Sequence, residues 1–308
     1  MYFCFKKVLL SVFLIVSSFF EPCQGVVSFN MQGSLGLPCG FPAAKWLSNC
    51  YRPESIFPTV KIPLVLFGIG TSMTHKDYSK MATTITQDTN SVVCVVDYQY
   101  ACPFKKYNNY KSAIKDIINT INFVSPELFQ IDLTKIIVGG HSSGGQHAVM
   151  FVRDFPDIIT SCVVYDPVYN SDIGDPTPVS LDLKKPVFII GPNANPPTCV
   201  APIGPSVTDL NNGLWFYQTI QKNVAYVRFS HDVEHNSIID SKPFTCGSHN
   251  NQQPQLNIPY DSGKLMSAFI LHWPNVVWPI VVNPIESINS KYTKKLDDDD
   301  VLICKLSI

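Results

Sequence analysis

Charge is scarce in this sequence. Its 308 residues hold 23 Lys and Arg against 24 Asp and Glu, 15% in all, and the formal net charge is −1. Without a basic field to neutralise phosphates, neither nucleic acid nor an anionic membrane surface is an expected partner. The main charge run, DDDD at 297–300 after Lys294 and Lys295, reads as a solvated tail. There is no Cys-x-x-Cys pair, which argues against a zinc ribbon or a thioredoxin-like redox site. Asn-x-Ser/Thr sequons, internal repeats and low-complexity linkers are also missing. No apolar run reaches the ~20 residues that span a bilayer, so no stable membrane span is expected.

What is present begins with an export pattern. In MYFCFKKVLLSVFLIVSSFFEPCQGVV, Lys6 and Lys7 precede an apolar run over 8–20, and small residues follow near Gly25. The expected organisation is a secretory signal peptide at 1–25, one domain over 26–280 and a C-terminal tail at 281–308. That destines the chain for the extracellular space or an endomembrane lumen. Of the ten cysteines, eight lie beyond Gly25: Cys39, Cys50, Cys94, Cys102, Cys162, Cys199, Cys246 and Cys304. An even number in an exported chain fits disulfides, though the pairing is not legible. Cys162, inside an apolar run, fits a free core thiol.

Six short runs rich in β-branched residues recur at 61–67 (KIPLVLF), 91–96, 135–139, 161–165, 186–190 and 224–229. Continuous apolar runs of this length read as strands buried on both faces. Between or after them, 76–87, 106–123, 145–153, 207–221 and 263–271 carry apolar residues at helical spacing. In one stripe stand Ala113, Ile114, Ile117, Ile118 and Ile121. Strands alternating with helices predict an α/β fold: a mostly parallel central sheet with helices on both faces. Trp215, Phe216 and Tyr217 fall in one such helix and read as core.

The sequence IIVGGHSSGGQHAVM at 136–150 joins an apolar strand directly to a helix and contains G-x-S-x-G as Gly140-His141-Ser142-Ser143-Gly144. In a nucleophile elbow the turn is so tight that the residues two before and two after the serine must be nearly free of side chain, hence Gly140 and Gly144. Only Ser142 has glycine at both offsets. The helix start would bring the Ser143 N–H and a positive dipole end toward a developing oxyanion. A serine hydroxyl needs a base to take its proton, and the base needs an oriented partner. Of the seven histidines, His231 and His235 follow the last apolar run, where such a base would be placed. His235 is favoured because an apolar pair and Asp240 follow it, as in a loop running into a helix. The stretch after 186–190 offers Asn193 and Asn195 but no carboxylate. Asp166, closing SCVVYDP, is therefore the expected acid, with Asp172 and Asp175 in reserve. The order Ser142, Asp166, His235 is that of α/β-hydrolases.

The segments GHSSGG, VVYDPV, CVAPIG and EHNSIID resemble chlorophyllase-like α/β-hydrolases, with platelet-activating-factor acetylhydrolase relatives further off. The resemblance spans roughly residues 58–273. It implies the α/β-hydrolase fold, with Ser142 as nucleophile, Asp166 as acid and His235 as base. That family carries a His-Gly pair after its first core strand, beside the oxyanion hole. Here LFGIGTSM has Ile69 before Gly70, and the backbone N–H of Thr71 would complete the hole with that of Ser143. The expected activity is hydrolysis of a small-molecule or lipid-like carboxylic ester, without metal or organic cofactor. Two rival readings remain. One is a zinc hydrolase, because His231-Asp232-Val233-Glu234-His235 fits H-x-x-E-H with His231, Glu234 and His235 in the metal-site roles. The other is a non-catalytic binding protein on the same fold.

Overall fold

A computed structural model describes residues 25–34, 45–54, 60–98, 106–124, 130–169, 183–192, 212–221, 223–229, 233, 235–240, 257–272 and 303–305. The strands are β1 (Val26–Ser34), β2 (Lys45–Pro53), β3 (Ile62–Gly68), β4 (Val92–Asp97), β5 (Ile131–His141), β6 (Ser161–Tyr165), β7 (Val187–Gly191), β8 (Val224–Arg228) and β9 (Ile303–Lys305). The helices are α1 (Ser79–Thr89), α2 (Lys106–Val124), α3 (Ser143–Asp154), α4 (Gly213–Thr219) and α5 (Ile258–His272). A single 3₁₀ turn, His75–Tyr78, leads into α1.

The strands form one nine-stranded sheet in the order β1-β2-β4-β3-β5-β6-β7-β8-β9. From β4 through β8 every pairing is parallel, as the apolar runs predicted. Every residue of β4, β6 and β7 is buried, which is why those runs show no alternation. The flanks are antiparallel. β1 and β2 pair with each other, β2 pairs with β4, and β9 closes the far edge against β8. The sequence reading did not anticipate β1 and β2. Their residues alternate in exposure, as in a two-sided edge ribbon, and contain none of the unbroken β-branched runs.

β2 is joined to the parallel core covalently. Cys50 and Cys94 are register partners across β2 and β4 and form a disulfide between residues 44 apart. In a chain-entropy model a loop of that size stabilises by about 4 kcal/mol. Cys162 is free and buried, and burial pushes its thiol well above the ordinary range. The other cysteine side chains lie outside the described residues, as do 1–24 and nearly all of the tail.

α1 and α5 pack together, with Lys264 Nζ on Asp88 at 2.6 Å, while α2 packs beside α3. α3 is buried over ten of its residues, Ser143 to Val152. It starts two residues earlier than the helical spacing suggested. The chain first steps from β3 outward to β4, then returns past β3 to β5. Loops leaving β3 and β5 therefore diverge and open a crevice at the carboxyl ends of these strands. In open α/β sheets that reversal is where ligands bind. Thr71 follows β3 and Ser142 follows β5.

Candidate active site

Ser142 stands between β5 and α3 with φ 55° and ψ −122°. A non-glycine residue in such a region costs about 1–3 kcal/mol, and the surroundings must impose it. They do so through three backbone hydrogen bonds. The Ser142 N–H donates to the Tyr165 carbonyl at 3.2 Å, and the Ser142 carbonyl accepts from Gln146 and Val168, each at 3.1 Å. The flanking glycines are steric necessities. A Cβ on Gly140 would collide with the backbone of Gly144 and Gly145, and one on Gly144 with the carbonyls of Gly68 and Ile69. The strained turn leaves Ser142 partly accessible between two buried neighbours. Among the described residues its hydroxyl has no hydrogen-bond partner.

Asp166 closes β6 and is fully buried, with φ 37°. Its N–H donates to the Ile190 carbonyl at 2.7 Å, fixing the residue against the end of β7. One carboxylate oxygen accepts the Gly213 N–H at 3.0 Å, at the start of α4. The other meets Nδ1 of His235 at 2.6 Å, bridging residues 69 apart. A carboxylate only accepts, so His235 carries its proton on Nδ1 and keeps Nε2 as the basic nitrogen. His235 is 5% exposed, and among the described residues Nε2 has no hydrogen-bond partner.

Thr71 and Ser143 face each other across the crevice: the Thr71 hydroxyl donates to Ser143 Oγ at 3.0 Å. Ser143 opens α3, so its N–H belongs to the first helical turn and has no acceptor within the helix. Among the described residues no acceptor takes the Thr71 N–H either.

His141, the residue before the serine, is completely buried and not exposed to the crevice. Its Nδ1 lies 2.8 Å from the Tyr78 hydroxyl and its Nε2 2.9 Å from the His235 carbonyl. Desolvation first, and then neighbouring His235, hold its imidazole well below the ordinary range, so it is neutral. Tyr78 is also fully buried, and desolvation raises its hydroxyl well above the usual tyrosine value.

The structure thus joins Thr71 to Ser143 and Asp166 to His235 by hydrogen bonds and sets Ser142 in the turn between the two elbow glycines, while among the described residues no hydrogen bond links Ser142 to His235. Asp172, Asp175, His231 and Glu234 lie outside the described residues, as do Asn193 and Asn195. His235 itself sits in a turn over 235–238. Among the described residues no three His, Cys, Asp or Glu side chains converge as metal ligands would. Phe216 and Tyr217 are core, as expected, while Trp215 is only partly buried and stacks on Tyr169 with ring centroids 4.6 Å apart. Sequence reasoning missed Tyr78 and the Gly213 N–H. Nothing in the sequence around either marks it, because each is brought to the site by the sheet and not by a neighbouring residue.

Residues 66–179 match a family model described as the alpha/beta hydrolase fold. That span runs from the last residues of β3 through β6 with Thr71, Ser142 and Asp166, and stops short of His235. No curated protein sequence matches the chain. Among solved structures it is similar to a hyperthermophilic esterase from the archaeon Pyrobaculum calidifontis, with TM-score 0.53 and 17% identity over 86% of this chain and 91% of the esterase. A monoclinic form of a Pyrobaculum calidifontis esterase superposes with the same TM-score and identity, covering 86% and 90% of the two chains. The sheet order, the elbow after β5 and these likenesses agree: the chain has the α/β-hydrolase fold.

Proposed function

We propose that the protein is an exported serine hydrolase that cleaves a carboxylic ester. The observation that carries this reading is the Asp166–His235 hydrogen bond at the carboxyl edge of the sheet, beside a serine held in strained geometry. Strain of that kind persists where exposing a nucleophile requires it. In the proposed reaction His235 Nε2 takes the hydroxyl proton as Ser142 Oγ attacks the ester carbonyl carbon. The N–H groups of Thr71 and Ser143 hold the oxyanion, and Asp166 stabilises the imidazolium. Collapse breaks the C–O bond, and His235 returns the proton to the departing alcohol. A water, deprotonated in turn by His235, hydrolyses the acyl-enzyme to the acid and regenerates Ser142. The Ser142–His235 hydrogen bond is expected to close when substrate excludes water, as such contacts often tighten only in the complex.

The half-buried Trp215–Tyr169 stack, which follows Asp166 on one side and Gly213 on the other, supports an apolar substrate. The chlorophyllase-like segments support the same class. Ile69, in place of that family's histidine, argues for a different ester among them. Export is supported by the amino-terminal pattern and by the Cys50–Cys94 disulfide, since such bonds persist in oxidising compartments. The test is labelling of the secreted protein by a fluorophosphonate, wild type beside Ser142→Ala, followed by a p-nitrophenyl ester panel with and without EDTA. Labelling lost only in the variant, with EDTA-indifferent turnover, is expected. A folded wild type that does not label would instead indicate the binding protein, and turnover abolished by EDTA the zinc hydrolase.

A further inference from the structure

The residue at the x position before the nucleophile has work that the mechanism above does not use. A carbonyl only accepts, so the proton between His141 and the His235 backbone sits on His141 Nε2. The neutral ring then offers Nδ1 as an acceptor, so the Tyr78 hydroxyl donates to it at 2.8 Å. The Tyr78 oxygen in turn accepts the Gly70 N–H at 2.9 Å. The directions are thereby fixed along the whole chain. Gly70 donates to Tyr78, Tyr78 to His141, and His141 to the backbone of His235.

A second strap lies on either side of Tyr78. The Asp240 N–H donates to the Asp77 carbonyl at 2.7 Å. The Asp240 carboxylate accepts from the Ser79 hydroxyl and from the Lys80 N–H, at the start of α1. Residues 77–80 therefore grip the far end of the 235–240 segment, while Tyr78 reaches its near end through His141. Gly70 directly precedes Thr71, and His141 directly precedes Ser142. One buried network thus touches the residues that precede Thr71 and Ser142 and the backbone of the base itself.

We propose that Tyr78 and His141 are positioning residues, which fix the loop bearing the Thr71 N–H and the backbone of His235 at a set separation across Ser142. The inference rests on the reading of Ser142, His235 and Asp166 given above. Its physical basis is preorganisation: oxyanion donors and base accelerate the reaction to the extent that they need no rearrangement in the transition state. A histidine suits the task because it accepts at one end of a rigid ring and donates at the other. A bare need to satisfy buried polar atoms would also keep these bonds, but it predicts effects on stability alone.

The experiment separates the two. Thermal melts and kcat and KM for p-nitrophenyl butyrate are measured on the full chain as wild type, Tyr78→Phe, His141→Gln, His141→Ala and Ser142→Ala. Tyr78→Phe is expected to lower kcat by roughly 10- to 100-fold, with KM within about threefold, below the 10²–10³ of losing an oxyanion donor outright. His141→Gln retains an N–H toward the His235 carbonyl and should recover part of the kcat lost in His141→Ala. A folded Tyr78→Phe with wild-type kcat, or one changed only in KM, would overturn the proposal. If Tyr78→Phe does not fold, the two His141 variants decide, and equal kcat in Gln and Ala overturns it. Turnover surviving in Ser142→Ala would instead remove the site reading beneath it, whatever Tyr78 does.

Discussion

The two halves of the candidate site are assembled over very different lengths of chain. The elbow's turn is encoded within a few residues, even though Tyr165, Val168 and the end of β3 brace it. Gly140 and Gly144 meet across the serine they flank, and β5 runs straight into α3. The acid–base half is drawn from across the domain. Asp166 reaches 69 residues to His235, His141 reaches 94, and Asp240 reaches 161 back to Ser79. A locally encoded part depends on individual backbone positions, so its failures should be abrupt. A part tied by several long-range bonds should instead degrade by degrees.

The largest effect tests the local half. Ser142→Ala should lower turnover by at least ~10⁴-fold, as removing the nucleophile does in other serine hydrolases. Ser142→Gly should be equally inactive yet more stable than Ser142→Ala by about 1 kcal/mol or more, because glycine adopts a positive φ without strain. Equal melting temperatures would mean the turn stores no strain at this residue. Asp166→Asn comes next, with an expected loss of about 10³- to 10⁴-fold in kcat from mis-set tautomer and lost imidazolium stabilisation. An unchanged rate would transfer the acid's role to Asp172 or Asp175. Gly140→Ala follows. Its methyl has only backbone atoms to displace, so it should destabilise by roughly 2–4 kcal/mol or prevent folding. A stable, active Gly140→Ala would contradict the abruptness expected of the elbow.

The same contrast explains how much was legible in the sequence. All six parallel strands announced themselves, because a strand buried on both faces is apolar at every position and needs no knowledge of its partners. The elbow was legible because its motif is contiguous: Gly140 is demanded by Gly144 and Gly145 close by, although Gly144 is demanded by the Gly68 and Ile69 carbonyls at the end of β3. β1 and β2 were not, since an edge ribbon with one wet face alternates in polarity and competes with loops for the same pattern. The pairing of Cys50 with Cys94 depended on that missed ribbon, because it is the register of β2 on β4 that brings them together. Asp166 and His235 could be nominated from chain order, but not their distance. Tyr78 could not be nominated at all. A buried tyrosine in a helical stretch reads as core, and only the fold places its hydroxyl between Gly70 and His141.

The smallest effect belongs to the outermost long-range tie. Asp240 holds the 235–240 segment to the first turn of α1, where a negative charge is favoured by the helix dipole. Asp240→Asn keeps an oxygen for the Ser79 hydroxyl and the Lys80 N–H but loses the charge. It should cost about 0.3–1 kcal/mol in a urea melt and leave kcat within about threefold. Asp240→Ala loses both side-chain bonds and should cost more, with a several-fold fall in kcat at unchanged KM, because the segment bearing His235 then loses its side-chain tie to α1 and keeps the weaker backbone bond from the Asp240 N–H to Asp77. Graded losses across Asn and Ala would show a base positioned by the sum of its ties. If Asp240→Ala matches wild type in both melt and kcat, then the inner bonds through His141 and Asp166 suffice, and the positioning role contracts to the network around Tyr78.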